Sequence, residues 1–316
     1  MVVRWTRCGL YIFSVLMRRF LCKILLYVLP IFLGAIILEL VVERIPNSYT
    51  YKRAYMERYA DSICTLVLGH SCAYDGIDAE ILPSAFNLAN SSQCFEDDYR
   101  LLVKYLPAMD SLKMVVLPVS YSSLQMVSSS NRRAYYTIYM DIYPRWPISK
   151  YSFECFNLEL LVKKCVKYLL NTDMVQCDSL GQRLGHTMLN RPIDWKETQS
   201  LIANDRFVGK SSIPYVTENI EWLHRLAELC ENRDVLLYLV AMPMLPDYRS
   251  GMPMEQILLM EQVMRSMAQE HNCVRFVDYQ EWGNEDDFWN ATHLNTDGAK
   301  RFSIMLLHDL YNKKSL

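Results

Sequence analysis

The chain has 316 residues, of which 51% are hydrophobic and 22% charged, and its formal net charge is -2. A chain of this length and composition can bury one sizeable core, and its length alone would permit two smaller ones. The near-neutral charge offers no basic face for a phosphate backbone, so nucleic acid is not expected as a partner. We therefore expect one folded domain that follows an apolar N-terminal segment.

The first 45 residues differ in composition from the rest of the chain. An apolar stretch from Ile24 to Val42, roughly 19 residues broken only by Glu39, is long enough to cross a hydrocarbon core. By the positive-inside rule, the N-terminus is placed in the cytoplasm by the basic residues before this stretch: Arg4, Arg7, Arg18, Arg19 and Lys23. We predict a single-pass membrane anchor over residues 1–45, with residues 46–316 outside the cytoplasm, in the periplasm or at the cell surface. A cleaved signal peptide and a buried core helix are the alternatives.

From about residue 60, short apolar runs alternate with longer amphipathic ones. Near-continuous apolar runs are typical of parallel strands covered on both faces, and five occur: Ile63–Leu68, Ala85–Leu88, Met114–Val119, Val235–Met242 and Val274–Val277. Three- and four-residue apolar spacing predicts helices over Glu96–Tyr105, Ile220–Cys230 and Glu255–Ala268, and a last helix around Phe302, Leu306 and Leu310. The alternation predicts an α/β three-layer sandwich with a mainly parallel five-stranded sheet.

One stretch, between Ser120 and Ile213, has no clear strand pattern. We interpret residues 121–213 as an insertion between the third and fourth strands. Its aromatic residues either pack it onto the sheet or form a lid or wall for a sugar, and they are Tyr135, Tyr136, Tyr139, Tyr143, Trp146, Tyr151 and Trp195.

The ten cysteines are scattered singly, without the paired spacing of a metal site. We interpret them as unpaired, mostly buried residues, and expect no metal and no cofactor. Four histidines are predicted to be ordinary surface residues: His186, His224, His271 and His308.

Two short segments contain candidate catalytic residues. Leu66–Ser71 is an apolar strand that stops at Gly69 and presents Ser71, and Asn290–Asn295 presents His293 just before the last helix. A serine hydroxyl reacts at neutral pH only when a neighbouring imidazole removes its proton. Because ligands of open parallel sheets bind beyond the carboxyl ends of the strands, we expect Ser71 and His293 to meet there. A turn with a helix cap is the alternative interpretation of Gly69-His70-Ser71.

Four short blocks contain the candidate catalytic residues and the segments that follow the first three apolar runs. They are Leu68–Ile77, Phe86–Gln93, Val116–Tyr121 and Phe288–Asn295, the last followed by Gly298-Ala299. In these blocks the chain resembles the SGNH (GDSL-like) hydrolase superfamily, in particular its membrane-anchored DltD-like and alginate-acetyltransferase-like branch. The resemblance implies a flavodoxin-like SGNH fold with Ser71 as nucleophile and His293 as base. It also implies an oxyanion hole made by the backbone amides of Ser71 and Ala89, with the Ser120 hydroxyl where relatives supply an Asn side chain.

Two positions depart from the family pattern. Asn290 stands three residues before His293, where relatives usually have Asp, and an amide can orient the imidazole but cannot offset its positive charge. Asp286 or Asp287 is the alternative partner of the ring. Cys72, next to Ser71, is either a nucleophile with a lowered pKa or, as we favour, a small buried thiol.

The resemblance implies a membrane-tethered serine esterase or acyltransferase acting outside the cytoplasm on an acylated envelope glycan or a related small ester. The alternative is a catalytically weak or inactive scaffold or glycan-binding protein of an envelope polysaccharide assembly system, and Asn290 favours it. A nucleotide-binding protein is a poor third hypothesis, since the repeated glycines that cradle phosphates do not occur around Gly69.

Overall fold

The computed structural model describes residues 7–170, 172, 174–183, 193–211 and 215–312. The chain begins with helix α1 (Arg7–Val42) and helix α2 (Ser48–Tyr59). Part of α1, Val15–Val42, is long and apolar enough to cross a membrane, and most of its apolar side chains are exposed. The predicted anchor segment is therefore a helix of suitable length, while its orientation across a membrane stays a prediction.

A parallel sheet forms the centre of the molecule. Within the described residues it has five strands, which are β1 (Thr65–Val67), β2 (Ala85–Asn87), β3 (Met114–Val119), β4 (Leu236–Ala241) and β5 (Val274–Asp278). The order is β2-β1-β3-β4-β5, and every neighbouring pair is parallel. The five apolar runs are thus confirmed as strands. From β1 the chain moves to one side and then returns to the other, so the strand order reverses between β1 and β3.

Helices cover both faces of this sheet. The helices that follow α2 in the chain are α3 (Ser71–Gly76), α4 (Phe95–Tyr105), α5 (Ser130–Tyr135), α6 (Leu158–Leu169), α7 (Trp195–Ser211), α8 (Val216–Glu231), α9 (Pro246–Gly251), α10 (Met254–Glu270) and α11 (Thr296–Asn312). Because strand side chains alternate in direction, Leu66 and Val115 pack in one core with α4, α8 and α10. Val67 and Val116 pack in the other core, with α3 and α11.

A small antiparallel pair, β6 (Phe288–Asn290) and β7 (His293–Leu294), precedes α11. Gly298, in the first turn of α11, packs so closely on the backbone of Asp287 that it leaves no room for a side chain. The side chain of Asn295 donates to the carbonyl of Asp286 at 2.7 Å. These contacts hold the pair against the last helix.

The aromatic insertion packs onto the domain. A π-helical turn, Tyr136–Met140, continues α5, and Tyr136, Tyr139 and Tyr143 are buried in the core. Tyr135 stacks on Tyr49 of α2 with ring centroids 4.9 Å apart. These tyrosines therefore follow the packing interpretation of the insertion. His186 lies outside the described residues.

Candidate active site

The turn that follows β1 positions Ser71. Gly69 has a φ of +100°, and a Cβ at this position would lie 3.1 Å from the carbonyl oxygen of Pro118 on β3. The backbone amide of Gly69 donates to Oδ1 of the buried Asp98 at 2.8 Å. A left-handed residue in such close contact with the next strand has to be glycine. The turn places Ser71 at the first position of α3, beside the point where the strand order reverses.

Ser71 and His293 come together although 222 positions separate them. The Oγ atom of Ser71 lies 2.8 Å from Nε2 of His293, the first residue of β7. Both residues are half-buried. The structure thus brings together the two residues that the sequence singles out as nucleophile and base, at a distance suitable for proton transfer.

Asn290 determines which nitrogen of His293 carries the proton. Its Oδ1 accepts the backbone amides of Thr292 at 3.0 Å and His293 at 2.9 Å, so this atom is the amide oxygen. The same oxygen lies 3.1 Å from Nδ1 of His293. The hydroxyl of Thr292 lies 3.0 Å from Nδ1 as well and donates to Oδ1 of Asn290 at 3.3 Å, so the lone pairs of both oxygens face the ring nitrogen. This arrangement favours a proton on Nδ1 and leaves Nε2 as the acceptor that faces Ser71.

The two carboxylates considered as alternatives lie elsewhere. Asp286 is exposed. Asp287 is buried, and it accepts from the guanidinium of Arg301 at 2.5 and 2.8 Å and from the amide of Asn284 at 2.9 Å. Asp287 therefore ties the β6–β7 pair to α11, and the side chains that face Nδ1 of the base are those of Asn290 and Thr292.

The flanks of Ser71 are structural. His70 is buried and caps α3 by accepting the amide of Cys72 at 3.4 Å, while its Nε2 lies 3.3 Å from Oγ of Ser123. Burial, aided by the nearby His293, lowers the pKa of His70 to about 4, so this ring stays neutral. Burial raises the pKa of Cys72 to about 12, and a thiol with such a pKa is a poor nucleophile at neutral pH. Ser71 is consequently the better candidate.

Of the three residues expected to form the oxyanion hole, two line the cavity beside the candidate nucleophile and one does not. Ser71 and Ser120 line the same cavity, and the Ser120 hydroxyl lies 3.1 Å from that of Ser122. Ala89 is fully buried, does not line that cavity, and donates its amide to Oδ1 of Asn87 at 3.1 Å. This differs from the expectation for Ala89, because the Asn87 side chain folds back onto the amide two residues later.

The cavity over Ser71 and His293 has a volume of about 190 Å³. Segments that follow β3 and β4 supply much of its wall, and α7 and α9 complete it: Ser120, Tyr121, Met242, Met244, Leu201, Asp205 and Tyr248. Tyr248 donates to Asp205 at 2.6 Å and lies 3.2 Å from the hydroxyl of Tyr121. Among the described residues, none of the seven aromatic residues named for the insertion lines it.

Several of these wall residues were not predicted. Met242 is the last residue of the fourth apolar run and Met244 follows two positions later, so the rule that ligands bind at carboxyl ends of strands could have identified them. Leu201 and Asp205 lie on α7 within the insertion, more than 120 positions after Ser71, and the sequence contains no signal that places them at the site.

Two of the predicted surface histidines form a pair. Nδ1 of His224 lies 3.0 Å from Nε2 of His271, whose Nδ1 lies 3.4 Å from a carboxylate oxygen of Glu231. His308 is exposed. Across the described ranges, no group of three or more His, Cys, Asp or Glu side chains is arranged to hold a metal ion.

Comparison of the chain with protein-family models and with curated proteins gives no match. The geometry around Ser71 and His293 is therefore the main basis for assigning a function.

Proposed function

We propose that this protein is a serine-dependent acyl-transfer enzyme of the SGNH type, an esterase or O-acyltransferase. It is tethered to a membrane by α1 and acts outside the cytoplasm on an acylated envelope glycan or a related small ester. The observation that supports this most directly is the 2.8 Å contact between Ser71 Oγ and Nε2 of His293, open to a cavity at the carboxyl edge of the sheet.

The reaction begins when His293 takes the proton of Ser71 and Oγ attacks the carbonyl carbon of the ester. The backbone amide of Ser71 and the hydroxyl of Ser120 donate to the oxygen of the tetrahedral intermediate. The intermediate then collapses to an acyl-serine, and His293 returns the proton to the departing alcohol. Water or a sugar hydroxyl, deprotonated by His293, finally attacks the acyl group and releases Ser71. How well the cavity excludes water decides between hydrolysis and transfer.

Asn290 allows this mechanism but makes it slower. In a serine protease, replacing the triad Asp by Asn costs about four orders of magnitude because the ring takes the wrong tautomer. Here two backbone amides hold the oxygen of Asn290 toward Nδ1, so the productive tautomer is kept. Only the stabilisation of the imidazolium by a negative charge is missing, and we expect a smaller loss of rate.

The second candidate function is a scaffold or glycan-binding protein that keeps the fold and has little activity. The neutral Asn290 beside His293 is the observation that favours it.

A fluorophosphonate probe distinguishes the two functions. Full-length protein in detergent is labelled alongside the Ser71→Ala and His293→Ala variants, with Ser250→Ala, an exposed serine of α9, as the matched control. An acyl-transfer enzyme labels in the parent and in the Ser250→Ala variant and loses labelling in the other two. A folded parent protein that does not label would contradict the proposed enzyme and favour the scaffold.

A further inference from the structure

A second, larger cavity of about 430 Å³ lies beside the end of α1, and it shares no lining residue with the cavity over Ser71. Its wall combines residues at the start of α2 and α5 with residues of α6. Four side chains are basic, and no described carboxylate lines it: Arg132, Lys163, Lys164 and Lys167. The remaining wall is mainly polar and includes Ser48, Ser92, Ser129, Asn131 and Gln176.

Two of these cations have no carboxylate partner in the described part of the chain. Lys164 is buried, and its ammonium group is bound by Glu154 at 2.9 Å and by Tyr139 at 2.5 Å. Lys163 pairs with Glu159 at 2.6 Å on the exposed side of α6. The guanidinium of Arg132, in contrast, donates only to the hydroxyl of Tyr49 at 3.1 Å among the described hydrogen bonds. Lys167 forms no ion pair with a described residue.

Asn47 adds an uncharged donor to the same wall. Its side chain is only 7% exposed, and its Oδ1 caps α2 by accepting the amides of Tyr49 and Thr50. Its Nδ2 is buried and has no acceptor among the described residues. A buried amide donor without an acceptor is destabilising unless a ligand supplies one. Asn47, Arg132 and Lys167 therefore favour a ligand that is anionic and rich in acceptors, as a phosphate ester is.

The position of the cavity points to a source for that phosphate. Lys164 binds the carbonyl of Val42, the last residue of α1, and the carboxylate of Glu39 accepts the amides of Glu154 and Cys155 at 2.9 and 3.0 Å. These bonds hold the residues leading into α6, and α6 itself, against the end of α1. Because the apolar run ends at Val42, the cavity lies where a membrane-crossing helix leaves the hydrocarbon.

One face of α6 is apolar and exposed. Leu158, Val162 and Leu169 are 68, 50 and 81% exposed and recur at helical spacing, and they lie on the helix that contributes Lys163 and Lys167 to the cavity. Lys163 and Lys167 lie on the opposite side of α6 from these apolar residues. A helix with one apolar and one basic face is typical of the surface of an anionic membrane.

We propose that this cavity binds the phosphate group of an anionic membrane lipid through Arg132, Lys167 and Asn47. A soluble phosphate ester carries the same group, but the apolar face of α6 and the end of α1 favour a lipid. The inference rests on the membrane tethering in the proposed function and does not depend on the chemistry of Ser71. Lipid binding at this point would seat the domain against the bilayer in one orientation.

The test is native mass spectrometry of the full-length protein in dodecyl maltoside, titrated with phosphatidylglycerol, phosphatidylcholine or soluble glycerol 3-phosphate. The parent is compared with the Arg132→Gln/Lys167→Gln double variant. An equal change of charge away from the cavity, Arg265→Gln/Lys300→Gln, is the matched control, since both residues are exposed. The single Lys167→Gln variant changes only an exposed side chain and covers the case in which the double variant does not fold.

We expect parent and control to retain phosphatidylglycerol about tenfold more tightly than phosphatidylcholine, because charge-assisted hydrogen bonds favour the anionic lipid. The double variant should lose this preference, and Lys167→Gln should reduce it. Unchanged preference in folded variants overturns the proposal. Equal binding of glycerol 3-phosphate also overturns it, since the site would then bind free anions. Fluorophosphonate labelling of Ser71 in the same samples tests the proposed enzyme separately, so the two proposals can fail independently.

Discussion

Replacing Asn290 by aspartate is the sharpest test of the proposed catalytic arrangement. An aspartate oxygen at the position of Oδ1 would accept the same amides of Thr292 and His293 and the same proton of Nδ1. Geometry and tautomer are then preserved, and only a negative charge beside the imidazole is added. The variant therefore measures the one property in which this site differs from a carboxylate triad.

The size of the effect follows from Coulomb's law. Two unit charges about 4 Å apart attract by about 4 kcal/mol at an effective dielectric constant of about 20. Because Asn290 and His293 are only half-buried, solvent screens part of this interaction, and we expect about 1–2 kcal/mol of transition-state stabilisation. That corresponds to a rate increase of about 5- to 30-fold.

The assay compares the rates of p-nitrophenyl acetate hydrolysis and of fluorophosphonate labelling in the parent and in the Asn290→Asp variant. Asp286→Asn, which changes an exposed carboxylate nearby by one charge, is the control and should alter the rates less than about twofold. A folded Asn290→Asp protein that reacts no faster than the parent would refute the reasoning, because His293 would then not be acting as a base oriented by position 290.

Three further substitutions test the turn and its flanks. Gly69→Ala should destabilise the fold by about 1–3 kcal/mol in thermal unfolding, since the residue has a positive φ and its Cβ would press on Pro118; no loss would contradict this. Between pH 6.5 and pH 4, His70 is protonated in the unfolded chain but stays neutral in the folded protein, where burial lowers its pKa to about 4. The free energy of unfolding therefore falls as the pH is lowered through this range. The free energy of unfolding of the His70→Gln variant, measured relative to the parent, should therefore rise by about 2 kcal/mol between pH 7 and pH 5. A difference that stays constant over this range would contradict the lowered pKa of His70. Burial raises the pKa of Asp98 to about 7, which gives the opposite pH dependence, but this contribution is the same in both proteins and cancels in the difference. Cys72→Ala should change fluorophosphonate labelling less than about twofold. Loss of labelling in this variant would indicate that the thiol of Cys72 is the nucleophile.

Much of the architecture could be predicted from local sequence patterns. Parallel strands that are covered on both faces consist of nearly continuous apolar residues. A run such as Met114–Val119 can therefore be recognised as a strand without knowing which strands lie beside it. The place of Ser71 at the ligand-binding edge could be predicted as well, because it follows the carboxyl end of the first strand. The position of His293 on the separate β6–β7 pair, which completes the contact, came only from the tertiary structure.

Other features were decided only by tertiary structure, because they depend on which of several acceptors a polar group finds in space. Nothing in the sequence indicates that the amide of Ala89 is taken by Asn87, or that two backbone amides turn the oxygen of Asn290 toward the base. The basic cavity is likewise invisible in the sequence, since Arg132 and Lys167 lie 35 positions apart and become neighbours only when α5 and α6 pack beside the end of α1. Local patterns determine strands and helices, whereas hydrogen-bond partners and cavity walls arise from contacts between distant segments.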